Sequence, residues 1–331
     1  MPKPKKIRDS EVEEDMSSII DQIMNPYSKQ AEPILDVLPA DLPSTLLMAA
    51  QIEDAYNFRN LIEYVRPHNI DANLCFTSRG IEYMRSNGLE TVFNTFLIRS
   101  TDIQYYISDA ENEITVGINL NTVSNVTKNI GKKEVFRLFY CMDTRDKLFY
   151  EIATYTHLGL NVQSRGIIAI KQVDSFPALL PDYGEKPIYV GSTAQFCHNC
   201  SIMVNQADFN VSNIRIVCYE RGLHLESIDN YGQVIHVLPF GPSRIKLIKS
   251  IGENIRCLDI TKNAPDVDFG SIITTINVKK QVIRCLSKMA NISENGGLLR
   301  IYALPDEAVK FQMSIGHCGV FETFIKQHQT E

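Results

Sequence analysis

Lys280, Arg284 and Lys288 are the residues of this chain whose type and spacing have the clearest chemical use. They recur at every fourth position of the segment INVKKQVIRCLSKMANI (276–292), which places them along one side of a helix at intervals of about 6 Å. The apolar residues Val278, Val282, Cys285, Leu286 and Met289 share the other side. The pattern predicts an amphipathic helix with its apolar side in a core. Its basic side is either an ordinary solvated surface or a surface that faces phosphates.

Two more segments combine an apolar stripe with basic outer positions. In EDAYNFRNLIEYV (53–65) the stripe is Phe58, Leu61, Ile62 and Val65, and Arg59 and Arg66 flank it. In NLNTVSNVTKNIGKK (119–133) the stripe is Leu120, Val123, Val126 and Ile130, and the outer basic residues are Lys128, Lys132 and Lys133. A fourth predicted helix, STAQFCHNCSIMV (192–204), has an uncharged outer side formed by Gln195, His198, Ser201 and Asn205. Three of four helices are therefore suited to contact phosphates through charge.

The motif CHNC (197–200) contains the only close cysteine pair in the sequence. A zinc site needs two more ligands at suitable spacing, and no second such motif exists. Both cysteines fall on an apolar stripe with Phe196, Met203 and Val204, which predicts core thiols. No nucleotide-binding, metalloprotease or hydrolase motif occurs either. We therefore expect no metal, no cofactor and no enzymatic activity.

Composition limits the class of protein further. The 331 residues are 44% hydrophobic and 22% charged, which is typical of a soluble globular chain with room for two domains. No apolar run is long enough for a leader peptide or a membrane span. The scattered cysteines indicate a reducing compartment. Because the net charge is −6, binding to nucleic acid requires positive charge that is concentrated on one surface.

The sequence repeats one unit of helices and strands. RGIEYM (79–84) resembles RGLHLE (221–226), and ITVGINLNTVSNV (114–126) resembles SIITTINVKKQVI (271–283). We predict an α+β fold with domain 1 at residues 46–172, an extended connector at 173–190 and domain 2 at 191–331. Residues 1–45 form a predicted flexible extension with one short amphipathic helix. Its basic KPKKIR is either a nuclear address or a chance run.

The segment GINLNTVSNVTKNIGKKE (117–134), the Arg-Gly segment before it, KLFYEIA (147–153) and VKFQMSIGHCGVFETFIKQ (309–327) resemble the DNA sliding clamps of the proliferating cell nuclear antigen (PCNA) family. The resemblance covers roughly residues 46–331. It implies two tandem clamp domains per chain, with helices on one face of antiparallel sheets. It also implies a ring of three chains, in which the helices line a hole that holds duplex DNA.

The resemblance implies a role for each candidate residue. The DNA-facing set is Arg59, Arg66, Lys128, Lys132, Lys280, Arg284 and Lys288. The set that binds client peptides is Leu179, Leu180 and Pro181 of the connector, with Phe324 and Ile325. The sheet edges that pair between subunits are Lys147–Ile152, with Lys147, Phe149 and Glu151, and Val234–Leu238, with Val234, His236 and Leu238.

The predicted function is a homotrimeric DNA sliding clamp, a processivity factor that tethers DNA polymerase and other replication or repair clients. A clamp loader is a further candidate partner, and no membrane is involved. One alternative is a subunit of a heterotrimeric checkpoint-type clamp. Another is an interaction or transcription accessory protein that keeps the clamp fold without encircling DNA. The departures from ordinary clamps, including the extension and an uncharged fourth helix, suit a large DNA virus. The expected location is the nucleus, or cytoplasmic replication sites if viral.

Overall fold

The computed structural model describes residues 45–86, 91–109, 111–173, 186–206, 213–229, 232–239, 246–251, 254–256, 270–293, 297–304 and 308–327, together with residues 34, 38, 39 and 42. The chain divides into two compact units, Met1–Ala40 and Asp41–Glu331, and all the elements named below belong to the second. The short helix predicted within residues 1–45 lies outside the described residues.

The described part contains four α-helices and nineteen strands. The helices are α1 (Ala55–Val65), α2 (Leu120–Thr127), α3 (Thr193–Gln206) and α4 (Lys280–Leu286). The strands of the first half are β1 (Leu46–Ile52), β2 (Asp71–Thr77), β3 (Gly80–Ser86), β4 (Val92–Arg99), β5 (Gln104–Ile107), β6 (Ile114–Asn119), β7 (Glu134–Cys141), β8 (Lys147–Thr156) and β9 (Gly159–Ala169). Those of the second half are β10 (Tyr189–Ser192), β11 (Asn213–Tyr219), β12 (Gly222–Asp229), β13 (Gly232–Pro239), β14 (Lys246–Ile251), β15 (Asn254–Arg256), β16 (Ile272–Lys279), β17 (Leu298–Leu304), β18 (Ala308–Ile315) and β19 (Gly319–Lys326).

These strands form three sheets whose pairings are antiparallel. The first has the order β5-β1-β7-β8-β9, the second β10-β17-β18-β19-β4-β3-β2-β6, and the third β15-β14-β13-β12-β11-β16. Helices packed on antiparallel sheets confirm the predicted α+β class. None of the described helices is long and apolar enough to cross a membrane.

The strand order confirms the internal repeat. In the first half, β1-β7-β8-β9 and β4-β3-β2-β6 are neighbours, and β10-β17-β18-β19 and β13-β12-β11-β16 repeat those two orders in the second half. The Arg-Gly turns occupy equivalent places, because Gly80 opens β3 at φ 134° and Gly222 opens β12 at φ 152°. A side chain is strained at such angles. At Gly80 a Cβ atom would also lie 1.9 Å from the carbonyl oxygen of Ile98.

A continuous sheet joins the two halves. Strand β19 ends the second half and pairs antiparallel with β4 of the first half, with Phe321 opposite Phe96 and Phe324 opposite Phe93. The helices are joined as well, since Asn60 of α1 donates from Nδ2 to the carbonyl oxygen of Asn291 at 2.6 Å. The halves therefore share both a sheet and a helical surface.

The period of the apolar residues explains which faces are buried. In β2, Ala72, Leu74 and Phe76 alternate with partly exposed residues, as expected for a strand that packs one face into a core. Apart from Val126 of α2, which is half-buried, helices α1, α2 and α3 bury the predicted stripes. The same core receives both helix and strand residues. Val282 of α4 is the exception among the predicted core positions of that helix, because it is only half-buried.

Asn119 determines where α2 begins. Its side chain accepts from the backbone N–H groups of Asn121 and Thr122, and it also donates to Asp71 at 3.0 Å. Replacing Asn119 with Ala leaves two backbone donors without this acceptor, so we expect the free energy of unfolding to fall by about 1–2 kcal/mol. Urea unfolding measures the change, with the exposed Asn121→Ala as the matched control. Equal midpoints for both variants would contradict this role.

The sequence resemblance predicted Lys147–Ile152 and Val234–Leu238 as the sheet edges that pair between subunits, but neither is a free edge in the described structure. Strand β8, which contains Lys147, Phe149 and Glu151, pairs with β7 on one side and β9 on the other. Strand β13, which contains Val234, His236 and Leu238, pairs with β12 and β14. Backbone groups that pair on both sides cannot pair with another subunit while both neighbouring strands stay in place. Strand β9 covers the outer side of β8, and β14 covers the outer side of β13.

A buried ion pair anchors the strands of the first sheet. Arg137 of β7 lies opposite Glu151 of β8, and Glu151 lies opposite Arg165 of β9. Arg137 Nη1 is 2.7 Å from Glu151 Oε2, and both side chains are almost fully buried. Arg165, which is half-exposed, approaches the other carboxylate oxygen at 3.6 Å. Burial lowers the pKa of Arg137, and the charge of Glu151 partly opposes that shift.

Candidate nucleic-acid interface

The helices and the turns after them form one layer, here called the helical layer. Helix α1 contacts α2 and the 3-10 turn Met289–Asn291, and α3 contacts α4. Each helix places its apolar side in the core, so that its polar side faces away from the sheets. The surface of this layer therefore brings together the outer positions of four helices from both halves of the chain.

The charge of the helical layer differs in sign from that of the chain. The four described helices contain one carboxylate, Glu63, although the whole chain carries 39 acidic residues. Within the helices the basic residues are Arg59, Lys280 and Arg284, and residues next to the helices add Arg66, Lys128, Lys132, Lys133, Lys279 and Lys288. The acidic residues next to the helices are Asp54 before α1 and Glu134 at the start of β7, so the layer still has a net positive charge. Among the basic residues, Lys128, Lys132, Arg284 and Lys288 are exposed, and Arg59, Arg66 and Lys280 are half-buried. The seven residues predicted to face DNA therefore all lie in or next to the helices, and their contact with DNA stays a prediction.

Arg59 also connects α1 with the segment that follows α2. Its Nη1 donates to the carbonyl oxygen of Ile130 at 2.9 Å, and its Nε donates to Glu63 at 3.2 Å. The guanidinium lies 5.2 Å from the ring centre of Tyr56, and Lys132 Nζ lies 5.7 Å from the same ring. The ring face attracts both cations and keeps them close together. Arg59 therefore organises the basic surface as well as contributing charge to it.

Arg66 has a similar second role at the other end of α1. Its Nη1 donates to the hydroxyl oxygen of Ser124 in α2 at 3.2 Å. Sequence spacing predicted an outer position for Arg66 but not this contact. The partner is 58 residues away along the chain. A contact between residues so far apart has no signature in helical periodicity.

Helix α4 is shorter than the apolar pattern predicted. It ends at Leu286, and Lys288 lies in the turn that leads to Met289–Asn291. The turn tightens because Lys288 N donates to the carbonyl oxygen of Cys285 at 2.9 Å and the Ser287 hydroxyl donates to that of Arg284 at 2.8 Å. Lys288 nevertheless remains exposed. The sequence interpretation also passed over Lys279, an exposed lysine just before α4 that the pair of lysines in INVKK could have indicated.

The cysteines of α3 are core residues, as their spacing predicted. Cys197 and Cys200 are 3% and 0% exposed, and Cys197 donates to the carbonyl oxygen of Leu286 at 3.3 Å. Burial raises the pKa of Cys197 to about 12 and also raises that of Cys200, so both thiols stay protonated at neutral pH. Within the described ranges, no group of three or more His, Cys, Asp and Glu side chains is placed to hold a metal ion. The contact of Cys197 joins α3 to α4.

The residues predicted to bind client peptides are only partly described. Leu179, Leu180 and Pro181 lie outside the described residues. Phe324 and Ile325 lie in β19, and each is 1% exposed. Ile325 belongs to the main core, whereas Phe324 lies 5.8 Å from Lys310 Nζ. The client site therefore stays a prediction from the sequence resemblance.

The connector leaves the first half beside the edge strand β6. The backbone N–H of Lys171 donates to the carbonyl oxygen of Gly117 at 2.9 Å, and Asn73 Nδ2 donates to that of Val173 at 3.2 Å. Lys171 also forms an ion pair with Asp71. These contacts hold residues 171–173 against the sheet at the point where the predicted connector begins.

Known structures share this architecture. A proliferating cellular nuclear antigen from Entamoeba histolytica matches with a TM-score of 0.62 and 12% identity, over 85% of this chain and 99% of that chain. A PCNA2-PCNA3 complex from Sulfolobus tokodaii matches with a TM-score of 0.58 and 15% identity, over 84% of this chain and 98% of that chain. No protein-family model and no curated protein matches the sequence. The chain therefore has a divergent PCNA-like clamp fold, as the sequence resemblance predicted.

Proposed function

We propose that this chain is a non-enzymatic DNA sliding clamp. Three copies would close into a ring, with the helical layers facing a duplex in the centre and the sheets outside. DNA polymerase and other proteins with clamp-binding peptides would attach to the connector and to the outer surface. The clamp fold supports the proposed ring architecture. The positive charge of the helical layer supports the proposed binding of duplex DNA.

The observation that carries this proposal is the near absence of carboxylates from the described helices. The chain has a net charge of −6, yet Glu63 is the one acidic residue in the four helices, and Arg59 pairs with it at 3.2 Å. Such separation of charge attracts the phosphate backbone without reading bases. A ring held in this way can move along the duplex, because every position offers the same phosphates.

A heteromeric ring is the second candidate. One of the matching structures is a complex of two different clamp chains. Helix α3 supports this candidate too, because it contributes no charge to the helical layer. A partner chain with a more basic helix would complete the lining. In that case this chain would need its partner in order to close.

Molar mass in solution tests the ring. Light scattering after size exclusion, over increasing micromolar concentrations, is expected to show a species of three times the chain mass of 37.5 kDa, which is about 113 kDa. Retention on circular duplex DNA and loss after the circle is cut would show encirclement. A mass that stays at 37.5 kDa at every concentration would contradict the homotrimer and favour the heteromeric candidate.

A further inference from the structure

Strand β9 forms one edge of the first sheet. It is the last strand in the order of that sheet, and among the described strands it pairs with β8. It has eleven residues, and Ile167 in it and Leu158 beside it are 51% and 87% exposed. The outer side of a long edge strand, together with such apolar side chains, can accept another strand.

The internal repeat indicates which strand fits this edge. Strand β9 ends the first half as β19 ends the second, and β4 follows the first Arg-Gly strand as β13 follows the second. Within the chain, β19 pairs with β4 over seven residue pairs. The equivalent pairing between two copies joins β9 of one copy to β13 of the next. Repeating this contact is the way in which a heterologous interface generates a ring.

The outer edge of β13 is already occupied in this chain. Strand β14 pairs with it over five residue pairs, from Gln233 opposite Ser250 to Val237 opposite Lys246, and β15 pairs with β14. The first half behaves differently, because β5, which follows β4, pairs with β1 in another sheet and leaves β4 open to β19. The β14–β15 hairpin thus lies where the repeat places a second copy.

We propose that the β14–β15 hairpin is a built-in competitor for subunit assembly, which covers the β13 edge until β9 of a second copy of this chain displaces it. This inference rests on the proposed ring. Strands β4 and β19 pair over seven residues, whereas β14 pairs with β13 over five. If β9 of a second copy pairs with β13 as β19 pairs with β4, the new pairing forms more backbone hydrogen bonds than the loss of β14 removes. The hairpin has the advantage of being tethered beside the edge. A second copy therefore displaces the hairpin only when the protein concentration is high enough to offset this tethering.

A reversible crosslink tests the competition. Val234 lies opposite Lys249, and facing residues of antiparallel strands are close enough for a disulfide. In Val234→Cys/Lys249→Cys, oxidation fixes β14 on β13, and we expect the mass to stay at 37.5 kDa at concentrations where the reduced form assembles. The matched control is Ser250→Cys/Ile255→Cys, which joins β14 to β15 without fixing either to β13. The control is expected to assemble in both redox states.

A second variant separates failure of the inference from failure of the ring. Replacing residues 246–256 with a short Gly-Ser segment removes the hairpin and is expected to lower the concentration for half-assembly at least about tenfold. An oxidised Val234→Cys/Lys249→Cys protein that assembles like its reduced form would overturn the competition while leaving the ring intact. A hairpin-free chain that stays at 37.5 kDa at every concentration would overturn both.

Discussion

The triple variant Lys280→Glu, Arg284→Glu and Lys288→Glu is expected to lose affinity for duplex DNA by roughly a thousandfold or more at moderate salt. All three residues belong to the helical layer, and Arg284 and Lys288 are exposed. Each reversal removes an attraction to phosphates and adds a repulsion, and a ring of three copies would repeat the change three times. The dependence of affinity on salt should weaken as well, because fewer counterions are released on binding.

Fluorescence anisotropy with a labelled duplex at several salt concentrations measures both effects. The matched control is Arg145→Glu, Lys186→Glu and Arg300→Glu, which changes the net charge equally at exposed positions outside the helical layer. If overall charge controls binding, the two triple variants will weaken it alike. Unchanged affinity in the first variant would remove the helical layer from DNA binding and favour an accessory protein that does not encircle DNA. Molar mass should be the same in all three proteins.

Glu151→Gln is expected to lower the free energy of unfolding by about 3–5 kcal/mol. The substitution removes the negative charge that lies 2.7 Å from the Arg137 guanidinium, and the two side chains are 1% and 4% exposed. The cost arises because the positive charge stays buried without its counter-charge. Urea unfolding with an unchanged slope would measure this loss directly.

The double variant Arg137→Met/Glu151→Leu separates charge from packing. Replacing a buried ion pair with apolar residues of similar size is often neutral, so we expect the double variant to be more stable than Glu151→Gln. A single variant within about 1 kcal/mol of the natural chain would show that water or another group compensates the arginine. Because Glu151 also faces Arg165 on β9, loss of the pair should loosen the strand that the ring proposal places at the subunit contact.

Features that repeat within a short window were predictable from the sequence. The stripes in α1 and α3 follow the helical period, so their burial could be inferred from residue spacing alone. The two Arg-Gly turns indicated the repeat, because glycine adopts the positive φ angles at Gly80 and Gly222 more readily than other residues. The concentration of positive charge on the helices was also predictable, because the lysines and arginines recur at helical spacing within short segments.

Features that depend on distant partners were not predictable. Whether β8 or β9 ends a sheet depends on pairings that no local pattern encodes, and the same holds for β13 and β14. The contact of Arg59 with Ile130 joins residues that are 71 positions apart. The early end of α4 had a different cause, because residues after Leu286 keep an apolar spacing while the backbone tightens into a 3-10 turn.

Gly117 lets the start of the connector lie against β6 because glycine has no Cβ atom. A Cβ at this position would lie 2.1 Å from the carbonyl oxygen of Lys171, a distance that no backbone tolerates. Even the single methyl group of alanine would push residues 171–173 away from β6. The repeat places Thr275 of β16 at the corresponding position, in TIN where the first half has GIN. The absence of a side chain at Gly117 thus makes the two halves of the repeat unequal, because it lets residues 171–173 lie against β6 in the first half.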